Sequence, residues 1–225
     1  MRGGLLGLLA LLVTSSSLVG CTDGGGHTTP PDTTSTTVDG FPCPAFERPT
    51  SASPTPVLAA GRVRVGAMSY PAAAAPFGPV SIHEYVPFAN LLGSQSANVE
   101  PASSTSMGWD AVVTLARMSS GDGAWGGQSG AEVVSQCSLS ITWRGIDYHP
   151  QVRRDEATEV DGHDAWIRVT DLTFTVPGVR ANAEVQTVVI VQVGDASYAY
   201  LSYLPNSAPE LAGTIAATLD GLRVD

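Results

Sequence analysis

The stretch "AEVQTVVIVQVGDASYAYLSYL", residues 183–204, decides the fold. Two runs rich in Val, Ile and Tyr flank Gly194-Asp195, a pair suited to a tight hairpin loop. Successive side chains of a strand alternate faces, so Tyr198 and Tyr200 share one side while Ala199, Leu201 and Tyr203 share the other. Immediately upstream, residues 151–160 and 164–175 read as a second hairpin, turned by Asp161-Gly162 in "VDGH". Downstream, Ser207 and Glu210 have capping-box spacing, and Leu211, Ile215, Leu219 and Leu222 then fall on one helical face.

Farther out the pattern thins. "DAVVTLARM", residues 110–118, reads as a strand, followed by a Gly-rich loop over 119–130. Ser129 and Glu132 again have capping-box spacing and predict a helix that starts at Ser129, with Val133, Cys137 and Ile141 on its buried face. "GRVRVGAMSY", residues 61–70, begins as a strand. Residues 76–101 mix apolar residues with Pro79 and Pro87 and yield no clear element. The expected fold class is α+β: an antiparallel β-sheet meander flanked by amphipathic helices, an α/β/α sandwich.

This order of elements resembles the PsbP-like fold and the LpqN-type lipoproteins of actinobacterial envelopes. The likeness is carried by "EVDGHDAWIRV", "VQTVVIVQVGDASYAYLSYLPNSAPEL" and the closing "LDGLRV", within residues 61–224. It implies accessory or interaction roles and brings no catalytic constellation with it.

The N-terminal quarter has a different character. Residues 1–20 have the layout of an export signal: Met1-Arg2, an apolar stretch from Leu5 to Val13, then serines. That stretch is too short to span a bilayer as a helix, which takes about 20 apolar residues. "LVGC", residues 18–21, resembles a bacterial lipobox, in which Cys21 becomes the acylated first residue of the mature chain. The alternative is a signal cut elsewhere, with Cys21 incidental. Residues 21–60 then form a Gly/Thr/Pro/Ser-rich tether, and residues 61–225 the globular domain. A flexible run of ~20 such residues holds a domain about 25 Å from its anchor.

With Cys21 acylated, two cysteines remain in an exported chain, and Cys43 and Cys137 are expected to form a disulfide. The alternative is two separate thiols, with Cys137 as a small buried hydrophobe. The formal net charge is -10 and the sequence contains no lysine, so a nucleic-acid partner is not expected.

Three motifs invite chemistry. "GDGAWG", residues 121–126, matches a dinucleotide-binding loop, with Asp147 about 20 residues on, but an antiparallel meander follows it instead of a βαβ unit. "GQSGA", residues 127–131, approaches a nucleophile elbow at Ser129, for which His149 or His163 with Asp164 or Asp171 would supply the remaining groups. An N-cap role explains Ser129 more simply. "DGHD", residues 161–164, offers metal-type ligands, although the turn alone accounts for Asp161-Gly162. Trp166, Tyr198, Tyr200 and Tyr203 either fill the core or line a cleft between sheet and helix.

The expectation is a noncatalytic, membrane-anchored binding or accessory module of the cell envelope, without catalytic residues, metal or cofactor. Its partners would be the membrane, through the lipid on Cys21, and an envelope protein or apolar ligand. The alternatives are a carrier of a small apolar ligand or lipid, and a serine hydrolase using Ser129.

Overall fold

The computed structural model describes residues 37–38, 41–43, 57–82, 86–103, 107–118 and 126–225. Strands β1 (Thr37–Val38), β2 (Phe41–Pro42), β3 (Val57–Ala59), β4 (Arg62–Val65) and β5 (Met68–Pro71) are short, whereas β6 (Ala89–Glu100) and β7 (Trp109–Met118) are long. Helix α1 (Gly127–Thr142) precedes the meander β8 (Tyr148–Val160), β9 (His163–Phe174), β10 (Ala183–Val193) and β11 (Ala196–Pro205). A 3-10 turn, Pro209–Leu211, leads into α2 (Ala212–Asp220), and β12 (Arg223–Val224) ends the chain.

The large sheet is antiparallel in the order β6-β7-β11-β10-β9-β8. Its two hairpins fall where the turn residues place them. Asp161 and Gly162 both have positive φ, 51° and 79°, as a type I′ turn requires, and Val160 pairs with His163 across them. Gly194 alone has positive φ, 58°, in the loop that pairs Val193 with Ala196.

Both faces of the sheet are covered. On one, Val188, Ile190, Ala199 and Leu201 pack with Ala131, Val134 and Cys137 of α1. On the other, Val189, Val191, Tyr198 and Tyr200 pack with Val63, Val65 and Met68 and with Leu211 and Ile215 around α2. Burial on both sides explains the unbroken apolar run of residues 188–191 in β10. The second face departs from the expected layer of helix, because a four-stranded sheet, β12-β5-β4-β3, shares the cover with the short α2. "GRVRVGAMSY" accordingly contains two strands, turned at Gly66. Gly66 has φ 59°, and a Cβ there would lie 2.6 Å from the Tyr198 hydroxyl, which accepts the Ala67 N–H at 3.0 Å.

The stretch without a clear reading, residues 76–101, contains the long edge strand β6. Its polar centre is buried and satisfied. The Gln95 amide accepts from Ala73 N at 2.8 Å and donates to Gly78 O at 2.9 Å, while Ser94 Oγ lies 2.7 Å from Thr114 Oγ1.

Residue 61, where the globular domain was expected to begin, lies in the turn between the paired strands β3 and β4. Cys43 is buried and bonded to Cys137 of α1, with Cα atoms 5.3 Å apart. The expected disulfide is therefore present, and it fastens a segment assigned to the tether onto the domain. Cys21, residues 1–20 and most of residues 21–56 lie outside the described residues. No helix among the described residues is long and apolar enough to cross a membrane.

Candidate functional site

Helix α1 lies over β8, β9 and β10, and beside β8 it leaves a cleft of about 260 Å³. Leu139, Tyr148, Pro150 and Val152 give the cleft apolar walls, and Ser135, Gln136, Ser140, Arg168 and Thr170 supply polar groups. Arg168 and Thr170 are two residues apart on β9 and so face the same side, beneath α1.

The polar groups on this floor are only partly paired. Arg168 is 8% exposed, and its terminal nitrogens reach Asp155 at 2.6 Å and Glu132 at 3.5 Å. Asp155 is further engaged by Trp166 Nε1 at 2.6 Å and Gln128 Nε2 at 3.2 Å. Arg168 Nε and Thr170 Oγ1 are buried without a hydrogen-bond partner among the described residues. A buried polar atom left unpaired costs about 1–3 kcal/mol, so two on one floor set it apart from ordinary core.

Next to them, Ser135 Oγ donates to Gln186 Oε1, and Gln186 Nε2 donates to Tyr203 Oη at 3.0 Å. This buried chain ends at a shallower cleft of about 240 Å³, lined by Trp109, Trp143, Glu184 and Tyr203. There Trp109 Nε1 donates to Glu184 Oε2, and Trp109 stacks on Phe174 with ring centroids 4.8 Å apart. Trp143 meets Trp109 edge-on at 5.3 Å, which makes the aromatic group a packed core cluster.

The residues singled out from sequence are dispersed. Ser129 is the third residue of α1, is exposed, and its hydroxyl lies 3.5 Å from Gly126 O. The helix begins two residues earlier than expected, with Gly126 at the N-cap position and no side-chain cap. Glu132 is drawn instead toward Gln136 and Arg168. The second capping box does not form either, because Ser207 Oγ donates to Glu100 Oε1 at 2.9 Å. His149 and His163 lie on β8 and β9, away from the lining of either cleft. Residues 121–125 of "GDGAWG" lie outside the described residues.

Asp161 Oδ2 accepts the Val224 N–H at 3.2 Å, and no group of three or more His, Cys, Asp or Glu able to hold a metal occurs among the described residues. Tyr198 and Tyr200 are buried on the α2 side and Tyr203 on the α1 side, the split their alternation predicts. Trp166 is half-buried and points its N–H at Asp155.

No protein-family model matches the chain, and no curated protein matches its sequence. Among the solved structures similar to it are three. The cyanobacterial PsbP protein CyanoP of Synechocystis sp. PCC 6803 is 8% identical, with a TM-score of 0.39, over 60% of this chain and 86% of that one. Protein PA94 of Pseudomonas aeruginosa, a putative regulator of unknown function, is 11% identical with a TM-score of 0.35, over 71% and 92%. The Saccharomyces cerevisiae Ran-binding protein Mog1p is 11% identical with a TM-score of 0.40, over 71% and 90%. At these scores the likeness extends to neither function nor site residues.

Sequence reasoning missed Arg168, Thr170 and Asp155. A signal for the first two was present: in "WIRVTDLTF", residues 166–174, they share a face with Trp166, Leu172 and Phe174. Two polar side chains on an apolar face mark either a satisfied network or a site. Asp155 sits in a run of charges on β8 that reads as solvated edge.

Proposed function

We propose that the chain is a lipoprotein of the cell envelope, anchored through an acylated Cys21, and that its domain is a noncatalytic binding module whose site is the cleft beneath α1. The anchor reading rests on the export signal and "LVGC"; the finer likeness to LpqN-type lipoproteins belongs with it. The binding reading rests on one observation above others: a cleft of about 260 Å³ with apolar walls and a few polar side chains, among them the charge-paired Arg168. Nothing in the lining pairs a nucleophile with a base, since its serines donate to Gln186 and to Cys137 O and no histidine lines it.

Fractionation tests the anchor. Wild type is expected with membranes and Cys21→Ser in the soluble fraction; persistent acyl labelling of that variant refutes the anchor. Native mass spectrometry of protein purified from envelope extracts tests the binding module, with a small adduct expected that is lost on denaturation. A second reading, carriage of a small apolar ligand between membranes, draws on the same apolar walls. It predicts transfer of the adduct between vesicles, which a static binding module does not perform.

A further inference from the structure

We propose that the outer face of the four-stranded sheet β12-β5-β4-β3 docks on an anionic phospholipid membrane, whose phosphates meet Arg62, Arg64 and Arg223. The inference rests on the membrane half of the reading above and adds a second contact to the anchor.

Strand alternation builds the face. Val63, Val65, Met68 and Tyr70 are buried against the large sheet, so Arg62, Arg64 and Ser69 point the opposite way. Arg64 and Arg223 both pair with Ser69, one from each side, which puts the two strands about 10 Å apart. Arg62 is two residues from Arg64 on the same strand, about 7 Å along it. Its guanidinium is held in place: Nε donates to Ser69 Oγ at 2.8 Å, and Nη2 donates to Ser69 O at 3.0 Å and to Gly221 O at 2.6 Å. Nη1 takes no part in those bonds. Burial, then the charges of Arg223 and Arg64, hold the Arg62 guanidinium below its ordinary value, against the opposing pull of Asp225.

The charge distribution sets this face apart. The chain carries 21 acidic residues against 11 arginines, yet residues 48–83 contain no Asp or Glu. Two carboxylates border the face from elsewhere: Asp225, 3.4 Å from Arg64 Nε, and Asp161, which accepts the Val224 N–H. Arg64 and Arg223 remain exposed. At physiological ionic strength charges beyond about 8 Å are largely screened, so the acidic remainder of the protein does not cancel the patch.

An acidic protein is the competing occupant. Protein interfaces draw their affinity from aromatic anchors seated in pockets, whereas the residues paired with these arginines are Ala59, Ser69 and Pro71. At the free edge of the sheet Leu58 is 59% exposed, an apolar group beside a basic face, as at membrane-binding surfaces. The large sheet lies between this face and α1, so docking turns the cleft away from the bilayer.

Full-length Cys21→Ser protein, which lacks the acylation site, is titrated with phosphatidylglycerol vesicles, and with phosphatidylcholine vesicles as control. Phosphatidylglycerol is expected to bind more tightly. Arg64→Gln/Arg223→Gln is expected to weaken that binding about 25-fold, at about fivefold per arginine, while Arg64→Lys/Arg223→Lys keeps it within about twofold. Asp225→Asn is expected to strengthen it about fivefold. The tryptophan added by Ala59→Trp is expected to be quenched by brominated lipid, and that of Val152→Trp, beside the cleft, is not.

The proposal is overturned if the parent protein binds both vesicles alike, which leaves the face to an acidic protein. It is also overturned if the Gln and Lys variants bind alike, or if Val152→Trp is quenched as strongly as Ala59→Trp. The anchor reading fails separately, when acylatable wild type fractionates with soluble protein.

Discussion

Cutting the Cys43–Cys137 bond by Cys43→Ala should cost the domain a large share of its stability. The bond joins residues 94 apart, so in the unfolded chain it closes a long loop. The chain-entropy relation assigns a loop of that length about 4.7 kcal/mol at 25 °C. Cys43 is buried, so truncating it also forfeits packing, about 1 kcal/mol for the lost sulfur. Against this, the freed Cys137 thiol stays in an apolar site as a small hydrophobe and leaves no unpaired charge. A net loss of about 5–6 kcal/mol follows, a large share of the 5–15 kcal/mol typical of a domain.

Urea unfolding under non-reducing conditions measures it. With a slope of about 2 kcal/mol/M, the midpoint should fall by about 3 M, and the slope should rise because the uncrosslinked unfolded chain is less compact. Cys43→Ala/Cys137→Ala should resemble the single variant if loop closure dominates. A loss below about 1 kcal/mol would refute the reasoning, since the segment around Cys43 would then add nothing to a domain already complete without it.

Two tyrosines on the α2 side should respond oppositely to loss of a hydroxyl. Tyr70 Oη is buried with no partner among the described residues, so Tyr70→Phe should be neutral or stabilising by up to about 1 kcal/mol. Tyr200 Oη lies 2.8 Å from Thr218 Oγ1, so Tyr200→Phe should destabilise by about 1 kcal/mol, and equal effects in urea melts would contradict the assignment. Glu100 is governed by two opposed influences: burial pushes its carboxyl up, but N–H groups of Arg180 and Ala181, the Ser207 hydroxyl and the Arg180 charge together hold it below the usual range. Its stabilisation is therefore full above the unfolded value near ~4.3 and is lost as pH falls through the lower folded value. Glu100→Gln should cost about 1.5–3 kcal/mol at pH 7, and the gap to wild type should narrow in acid melts. Gly221→Ala would drive a methyl group into the Pro71 ring and should lower stability by about 1–3 kcal/mol; an unchanged melting temperature would contradict that packing.

The legible parts of the fold are those where local chemistry and tertiary position agree. Asp161-Gly162 tolerates two positive φ angles, and the hairpin forms there. Leu211, Ile215 and Leu222 recur on one face and are buried against the sheet. Legibility ends where a polar side chain replaces a backbone or helix partner. Gln95 does for the Ala73–Gly78 loop what a neighbouring strand would do, so β6 carries amides and hydroxyls inside the core and loses its apolar signature. Ser129 and Ser207 mislead for a related reason. Capping-box spacing is a local motif, and Ser207 spends its hydroxyl on Glu100, 107 residues away. The cleft was hidden because its members come from α1, β8 and β9, and only the alternation around Arg168 and Thr170 hinted at it.

Both covers of the large sheet are held by hydrogen bonds as well as packing, and those beneath α1 bear on the cleft. On the α2 side, Tyr70 and Tyr200 are fully buried among aliphatic residues, while Tyr200 bonds to Thr218 and the Tyr198 hydroxyl accepts the Ala67 N–H. Beneath α1, specific bonds are added to packing: Ser135 to Gln186, Glu132 to Arg168, and the Cys43–Cys137 crosslink within the helical turn that also presents Gln136 and Ser140 to the cleft. Packing alone allows a helix to slide by fractions of an ångström, whereas a hydrogen bond fails beyond about 3.5 Å. The Ser135–Gln186 and Glu132–Arg168 bonds tie α1 to β10 and β9 beside the cleft, and walls held at such points lower the ordering cost of binding.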